Sequence, residues 1–515
     1  MLKKISLALA LLVSVWSVRL AVGEPPTEPH KADQSAADKL SVTEGQISIN
    51  DQTLKYKATA GQMILRDDSG KAKAEMFFVA YEKQPAEPRG TRPITFVFNG
   101  GPGAAAVWLH LGTAGPKRVA LDEEGDAPSP PYRLEDNPNT WLTATDLVFI
   151  DPVGTGYSRA VAGEKPEQFY GVEEDIRSVA EFIRMYVTRN QRWSSPKFLA
   201  GESYGTTRAA ALSQHLLEQQ GISLNGIVLI SSVLNFRTIQ FGGGNELPFA
   251  LYLPSYTAIA HHFKKLPPDL QNADLAKTVK DVEQWATHDY LTALISGSAL
   301  SADERKTVAV RLARYTGLSA QYVEKSDLRV DPGDFRKELL IDERKVIGRF
   351  DARIAGYNPD PLSEGADYDP SLPPYLAAYT ATFNEYARGT LKYESDRSYD
   401  VLTGRVHPWN FGPAGNGFLD VAPNLQDAMM KNPGMKVMFC NGSADLATPY
   451  LAATYTINHL ALSAALRANI THNIYVGGHM IYHYHPSLIK LGDDVRSFIR
   501  DAVPRAPSTQ GSSLH

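Results

Sequence analysis

Apolar and polar residues alternate over 46–49 and again over 53–56, on either side of Asn50-Asp51, which predicts a β-hairpin. A further β-rich run, 74–81, precedes a proline-rich link from Gln84 to Pro93. The pattern then changes. Compact apolar runs at 94–98, 147–150, 198–200 and 227–230 alternate with helical stretches, the rhythm of a parallel sheet covered by helices. Between the second and third runs, Val172, Ile176, Val179, Ile183 and Val187 recur at spacings of four, three, four and four, one face of a helix packed on the sheet. From 237 to 406 the strand signals thin out and helical patterns dominate: 273–295, 301–315 with Asp303 and Glu304 in its first turn, and 374–386. This block reads as a helical cap inserted into the sheet domain. Strands resume at 435–440 and 470–476, and 486–503 closes the chain as a helix. No internal repeat is visible.

Composition narrows the class. The 515 residues are 43% hydrophobic and 21% charged, ordinary globular usage that excludes a mainly disordered, fibrous or many-span membrane protein. A formal net charge of -5 leaves no basic excess for phosphate backbones, so nucleic acid is not an expected partner. Lys3 and Lys4, the uncharged stretch from 5 to 18 and the small residues Ala21-Val22-Gly23 make 1–23 a signal peptide in pattern, followed by a polar, flexible leader over 24–39. The apolar stretch is shorter than the ~20 residues a membrane span needs. A soluble bacterial product, periplasmic or secreted and with no stable membrane association after cleavage, is the expectation. Cys440 is the only cysteine, so no internal disulfide supports the fold.

The chemistry centres on Gly201-Glu202-Ser203-Tyr204-Gly205, a G-x-S-x-G pattern with a strand before it and a helix-forming segment, 206–219, after it. That setting lifts a serine hydroxyl above a sheet on a sharp strand-to-helix turn, and makes Ser203 the candidate nucleophile of an α/β-hydrolase fold with a central, mostly parallel sheet. Residues 40–236 and 407–515 form the catalytic domain on this reading, and 237–406 the cap. A serine hydroxyl needs a base, and the base needs a carboxylate to fix its tautomer. In the chain order Ser, acid, His, Asp445 follows the strand ending at Cys440, and His479 follows the strand ending at Val476. Asn99-Gly100-Gly101-Pro102-Gly103, directly after the strand ending at Phe98, is placed to supply one oxyanion donor at Gly101. The amide of Tyr204 supplies the other. His479, His483 and His485 lack a carboxylate or cysteine at ligand spacing, so neither metal nor cofactor is expected.

With these residues assembled, the chain resembles the serine carboxypeptidase family: NGGPG at 99–103, DPVGTGYS at 151–158, GESYG at 201–205, Gly442 with Asp445 and Pro449, and GHM at 478–480. The resemblance implies release of the C-terminal residue of a peptide through an acyl-enzyme on Ser203, with Asn99 and Glu202 binding the substrate's carboxylate. Two carboxyl groups face to face must share a proton, so acid conditions should favour the reaction. Val97 stands where the family usually has a tryptophan donor, Ala104 where it has a cysteine, and Ser443 where an aspartate is common. An esterase, amidase or acyltransferase on the same scaffold is the alternative.

Overall fold

The computed structural model describes residues 38–503, apart from 89, 364, 365, 367 and 413–416. The predicted signal peptide and most of the leader lie outside the described residues; Lys39, assigned to the leader, already opens a strand. Strands β1 (Lys39–Ile49), β2 (Gln52–Arg66) and β3 (Ala72–Gln84) run antiparallel, as the alternation predicts. Asn50 and Asp51 turn the first hairpin with φ of 47° and 61°, the left-handed pair that matches strand twist in a two-residue loop.

Six further strands form the parallel part of the ten-stranded sheet: β4 (Ile94–Phe98), β5 (Asp146–Ile150), β6 (Lys197–Glu202), β7 (Gly226–Ile230), β8 (Lys436–Gly442) and β9 (Ile470–Tyr475). The order is β1-β2-β3-β5-β4-β6-β7-β8-β9, and the two-residue strand Arg159–Ala160 pairs with β3. From β4 the chain steps to one side for β5 and to the other for β6. The crevice at the carboxyl ends of β4 and β6 is therefore a topological switch point, where such sheets hold ligands.

Side chains of the parallel strands alternate between two cores. Val97, Phe198, Ala200, Val228, Ile230 and Met438 face one side with helix α7 (His485–Ala502). Phe96, Phe98, Leu199, Ile227, Leu229 and Val437 face the other, with α1 (Val172–Arg189) and α2 (Tyr204–Gln220). All five apolar positions of the predicted α1 stripe are buried there.

The block from 237 to 406 does not pack as one unit. Helices α3 (Leu247–His262), α4 (Leu275–Trp285) and α5 (Ala302–Thr316) gather Leu253, Tyr256, Val282, Trp285 and Leu312 into a core of their own. A capping box between Ser301 and Glu304 starts α5, as its sequence leads one to expect. Helix α6 (Pro373–Gly389) instead places Tyr375, Tyr379, Phe383 and Tyr386 in the first sheet core, together with Tyr393, Tyr399 and Val401. The aromatic stripe on α6 has a partner surface on the sheet, which is why that end of the block leaves the cap. No described helix is long and apolar enough to cross a membrane.

Candidate active site

The site begins with strand register. Phe98 of β4 lies opposite Gly201 of β6, so the next residues along each strand, Asn99 and Glu202, emerge side by side at the crevice. Asn99 Nδ2 donates to Glu202 Oε1 at 2.8 Å, and Asn99 Oδ1 accepts from the amide of Leu109 at 3.1 Å. Beneath them Arg208 donates to the carbonyl of Asn99 at 2.5 Å and pairs with Asp175 at 2.6 Å. The loop after β4 is thereby tied to both helices of the second core.

One residue on, Ser203 has φ 60° and ψ -130°, a conformation rarely adopted by a residue with a Cβ and worth about 1–3 kcal/mol of strain. The turn holds because the Ser203 amide donates to the carbonyl of Ile230 at 3.0 Å and its carbonyl accepts from Thr206 at 2.8 Å. Ser203 is half-buried between buried neighbours. Tyr204 opens α2, where the first amides of a helix have no partner within it. The glycine loop presses on this point: a Cβ at Gly100 would stand 2.4 Å from the amide nitrogens of both Tyr204 and Gly205. Only glycine permits that approach.

Asp445 and His479 come from the loops after β8 and β9. These loops meet where a Cβ on Gly442 would lie 2.1 Å from the carbonyl oxygen of Gly478, so the absence of a side chain at 442 lets the two catalytic candidates close on each other. His479 Nδ1 lies 2.8 Å from Asp445 Oδ2, with both side chains buried. Asp445 is itself held. Its Oδ1 accepts from the amides of Ala447 and Thr448 at 2.7 and 3.0 Å, and its Oδ2 from the Thr448 hydroxyl at 2.7 Å. The backbone of His479 is fixed by its amide donating to Phe350 at 2.5 Å and by the Ser231 hydroxyl on its carbonyl at 2.5 Å.

Asn99, Gly100, Gly101, Glu202, Ser203, Tyr204 and His479 all line one cavity of about 200 Å³, so the predicted residues that should meet substrate converge on one space. Asp445 stands behind His479, outside that lining. Val97 is buried in the first sheet core and takes no part in the cavity.

Burial dominates the electrostatics. It pushes the Glu202 carboxyl up to about 7 against the pull of His479, Tyr482 and Asn99, and the Asp445 charge adds to the rise. Glu202 Oε2 and the Tyr482 hydroxyl beside it are both buried and make no hydrogen bond of normal geometry, though they lie close enough for the hydroxyl to favour the carboxylate. For His479, burial opposes the imidazolium, but the Asp445 carboxylate and the Glu202 charge outweigh it and hold its pKa above the usual histidine value. The three neighbouring histidines part company. His483 sits at 3.1 Å from the Tyr379 hydroxyl and His485 at 2.8 Å from Glu123, and no group of three or more potential ligands converges for a metal among the described residues.

Thr448, Tyr482, Arg208 and Arg349 belong to the site or its support without having been singled out in the sequence. A threonine three residues after a candidate acid was the one readable signal among them, since its hydroxyl can cap a loop carboxylate.

The family model described as serine carboxypeptidase matches residues 50–478. "Serine carboxypeptidase-like 36" of Arabidopsis thaliana is 25% identical over 272 residues, covering 50% of this chain and 52% of that protein. "Probable serine carboxypeptidase CPVL" of Dictyostelium discoideum is 25% identical over 240 residues, 43% of this chain and 42% of the relative. The chain thus spans about half the length of these curated relatives. Among solved structures, a prohormone-processing carboxypeptidase of Saccharomyces cerevisiae, KEX1(delta)p, superposes with a TM-score of 0.55 at 17% identity, covering 87% of this chain and 92% of that one. At that identity the likeness speaks for the fold.

Proposed function

The chain belongs to the serine carboxypeptidase family, and from that membership and the site's geometry we propose that it releases C-terminal residues from peptides through an acyl-enzyme on Ser203. The observation that carries the reading is the His479–Asp445 contact of 2.8 Å at a cavity that also holds Ser203 and the Asn99–Glu202 pair.

In the proposed reaction His479 takes the proton of Ser203 as Oγ bonds to the scissile carbonyl carbon. Asp445 keeps the Nδ1 proton of His479 in place and stabilises the imidazolium. The oxyanion is received by the amides of Tyr204 and Gly101, where a single donor is worth about 3–4 kcal/mol. His479 then gives its proton to the leaving nitrogen as the C–N bond breaks, and water repeats the sequence to free Ser203. Glu202 recognises the terminal carboxylate in its protonated form: Oε1 is engaged by Asn99, which leaves Oε2 to carry the proton toward substrate. A carboxyl held up to about 7 keeps that proton under acid conditions, and free-acid peptides bind less well as pH rises through that value. Export to the periplasm or medium is supported by the pattern of residues 1–23.

Esterase, amidase or acyltransferase action is the second reading. It is favoured by Val97, which leaves the carboxylate end of the cavity with Asn99 and Glu202 alone of the proposed set. An N-blocked dipeptide and its C-terminal amide, assayed from acid to neutral pH with Ser203→Ala as blank, separate the two. Faster cleavage of the free acid, with its KM climbing as pH rises through about 7, supports the carboxypeptidase; equal rates, or turnover of simple esters only, support the alternative.

A further inference from the structure

Most of the cavity wall beyond the reacting groups is apolar, with Trp108, Phe236, Ile239, Leu372, Leu402 and Met480 contributing. Among the lining residues Arg349 alone carries a permanent positive charge. Its backbone is anchored on both sides of the site. The amide donates to Asp369 Oδ1 at 3.1 Å, the carbonyl accepts from Leu446 next to Asp445 at 3.0 Å, and the following carbonyl, of Phe350, receives the amide of His479. The Arg349 guanidinium lies 5.5 Å from the centre of the Phe350 ring, which itself packs 5.2 Å from His479.

The charge is placed but not spent. Arg349 is exposed, and its guanidinium forms no ion pair among the described residues. The neighbouring acids are otherwise engaged: Asp369 with the Arg349 amide and Ser371, Asp351 with Arg353 at 2.6 Å, and buried Glu202 with Asn99. Arg336, the nearby second cation, is turned to the carbonyls of Ile347 and Tyr368. A guanidinium fork at the rim of an apolar cavity favours a carboxylate that arrives with the ligand.

Resting on the carboxypeptidase reading, we propose that Arg349 is a specificity-determining residue that selects peptides with an acidic side chain at one of the two residues flanking the scissile bond. The terminal carboxylate is not its partner, because that group is met by Asn99 and Glu202, both buried, whereas Arg349 is exposed and its segment is held to the loops that carry Asp445 and His479.

The test compares N-blocked dipeptides with Glu and with its isostere Gln at each of the two positions, on wild type and on Arg349→Met, which keeps the aliphatic stem. Affinities are measured on Ser203→Ala versions of both proteins, and kcat/KM on the cleaving versions. We expect a Glu-over-Gln preference of about tenfold at one position, as for a charge-assisted hydrogen bond. It should shrink with added salt and disappear in Arg349→Met. Equal binding of Glu and Gln peptides to the Ser203→Ala protein would overturn the proposal. So would an Arg349→Met loss that is the same for both peptides, the mark of a merely structural role or of a terminal-carboxylate anchor. A Glu preference in binding without any peptide cleavage by the wild type would leave Arg349 as the selector and refute the carboxypeptidase reading instead.

Discussion

Replacing Glu202 by Gln removes a buried acid while keeping the shape and the contact with Asn99. The carboxyl's ordinary value of 4.5 rises to about 7 in the folded protein, with burial the leading cause. A raised carboxyl pKa means that the unfolded chain gives up its proton first. Below about pH 4 both states are protonated, and Glu202 adds no pH dependence. Between 4.5 and 7 the unfolded state ionises while the folded state resists, so wild-type stability falls as pH rises and then levels off above 7. The gap is worth about 3 kcal/mol at 1.36 kcal/mol per pH unit. Asp151, a second buried carboxyl pushed up to about 7, behaves the same way in both proteins and cancels in their difference. Denaturant unfolding of wild type and Glu202→Gln at pH 4 and pH 8 should show the variant gaining on the wild type by about 3 kcal/mol between the two conditions. A difference that is flat with pH, or that moves the other way, would refute the claim that Glu202 is held protonated by its surroundings. The second arm is kinetic. KM for a free-acid peptide should climb above pH 7 in the wild type and lose that climb in Glu202→Gln.

Two further substitutions probe the supports of the site. Arg208→Met leaves Asp175 buried without its partner, a loss expected to cost about 3–5 kcal/mol in unfolding free energy; adding Asp175→Asn should return part of it, and full additivity of the two losses would deny the pairing. Gly100→Ala drives a Cβ against the amides of Tyr204 and Gly205, so kcat should drop by about 10²–10³ with the fold retained by circular dichroism; an unchanged kcat would place the oxyanion donors elsewhere.

The parallel strands and the site motifs were legible because each obeys a local rule: compact apolar runs for buried strands, glycines where two backbones must touch, and a serine between strand and helix. Ser203 needed only the strand and helix on either side of it to be located, whereas Asn99 and Glu202 were singled out only through the resemblance to the serine carboxypeptidase family. What the chain did not disclose locally is what long-range packing decides. Helix α3 is buried nearly all round, so no amphipathic stripe marks it, and Pro254 in its interior argues against a helix on propensity alone. The tyrosines of α6 look like any apolar stripe until the sheet core supplies their partner surface. Arg208 and Arg349 are ordinary basic residues in sequence. Their roles arise from chain segments more than 30 residues away: Asp175 and Asn99 for one, and the loops around Leu446 and His479 for the other.

The proposed chemistry depends on Ser203 acting as a nucleophile activated by His479 and Asp445. The most direct measurement is intact and peptide mass spectrometry after treatment with a fluorophosphonate, on wild type and on His479→Ala. A single adduct on Ser203, formed quickly in the wild type and drastically slowed in the variant, is the predicted result; no adduct, an adduct on another residue, or labelling indifferent to His479 would contradict it.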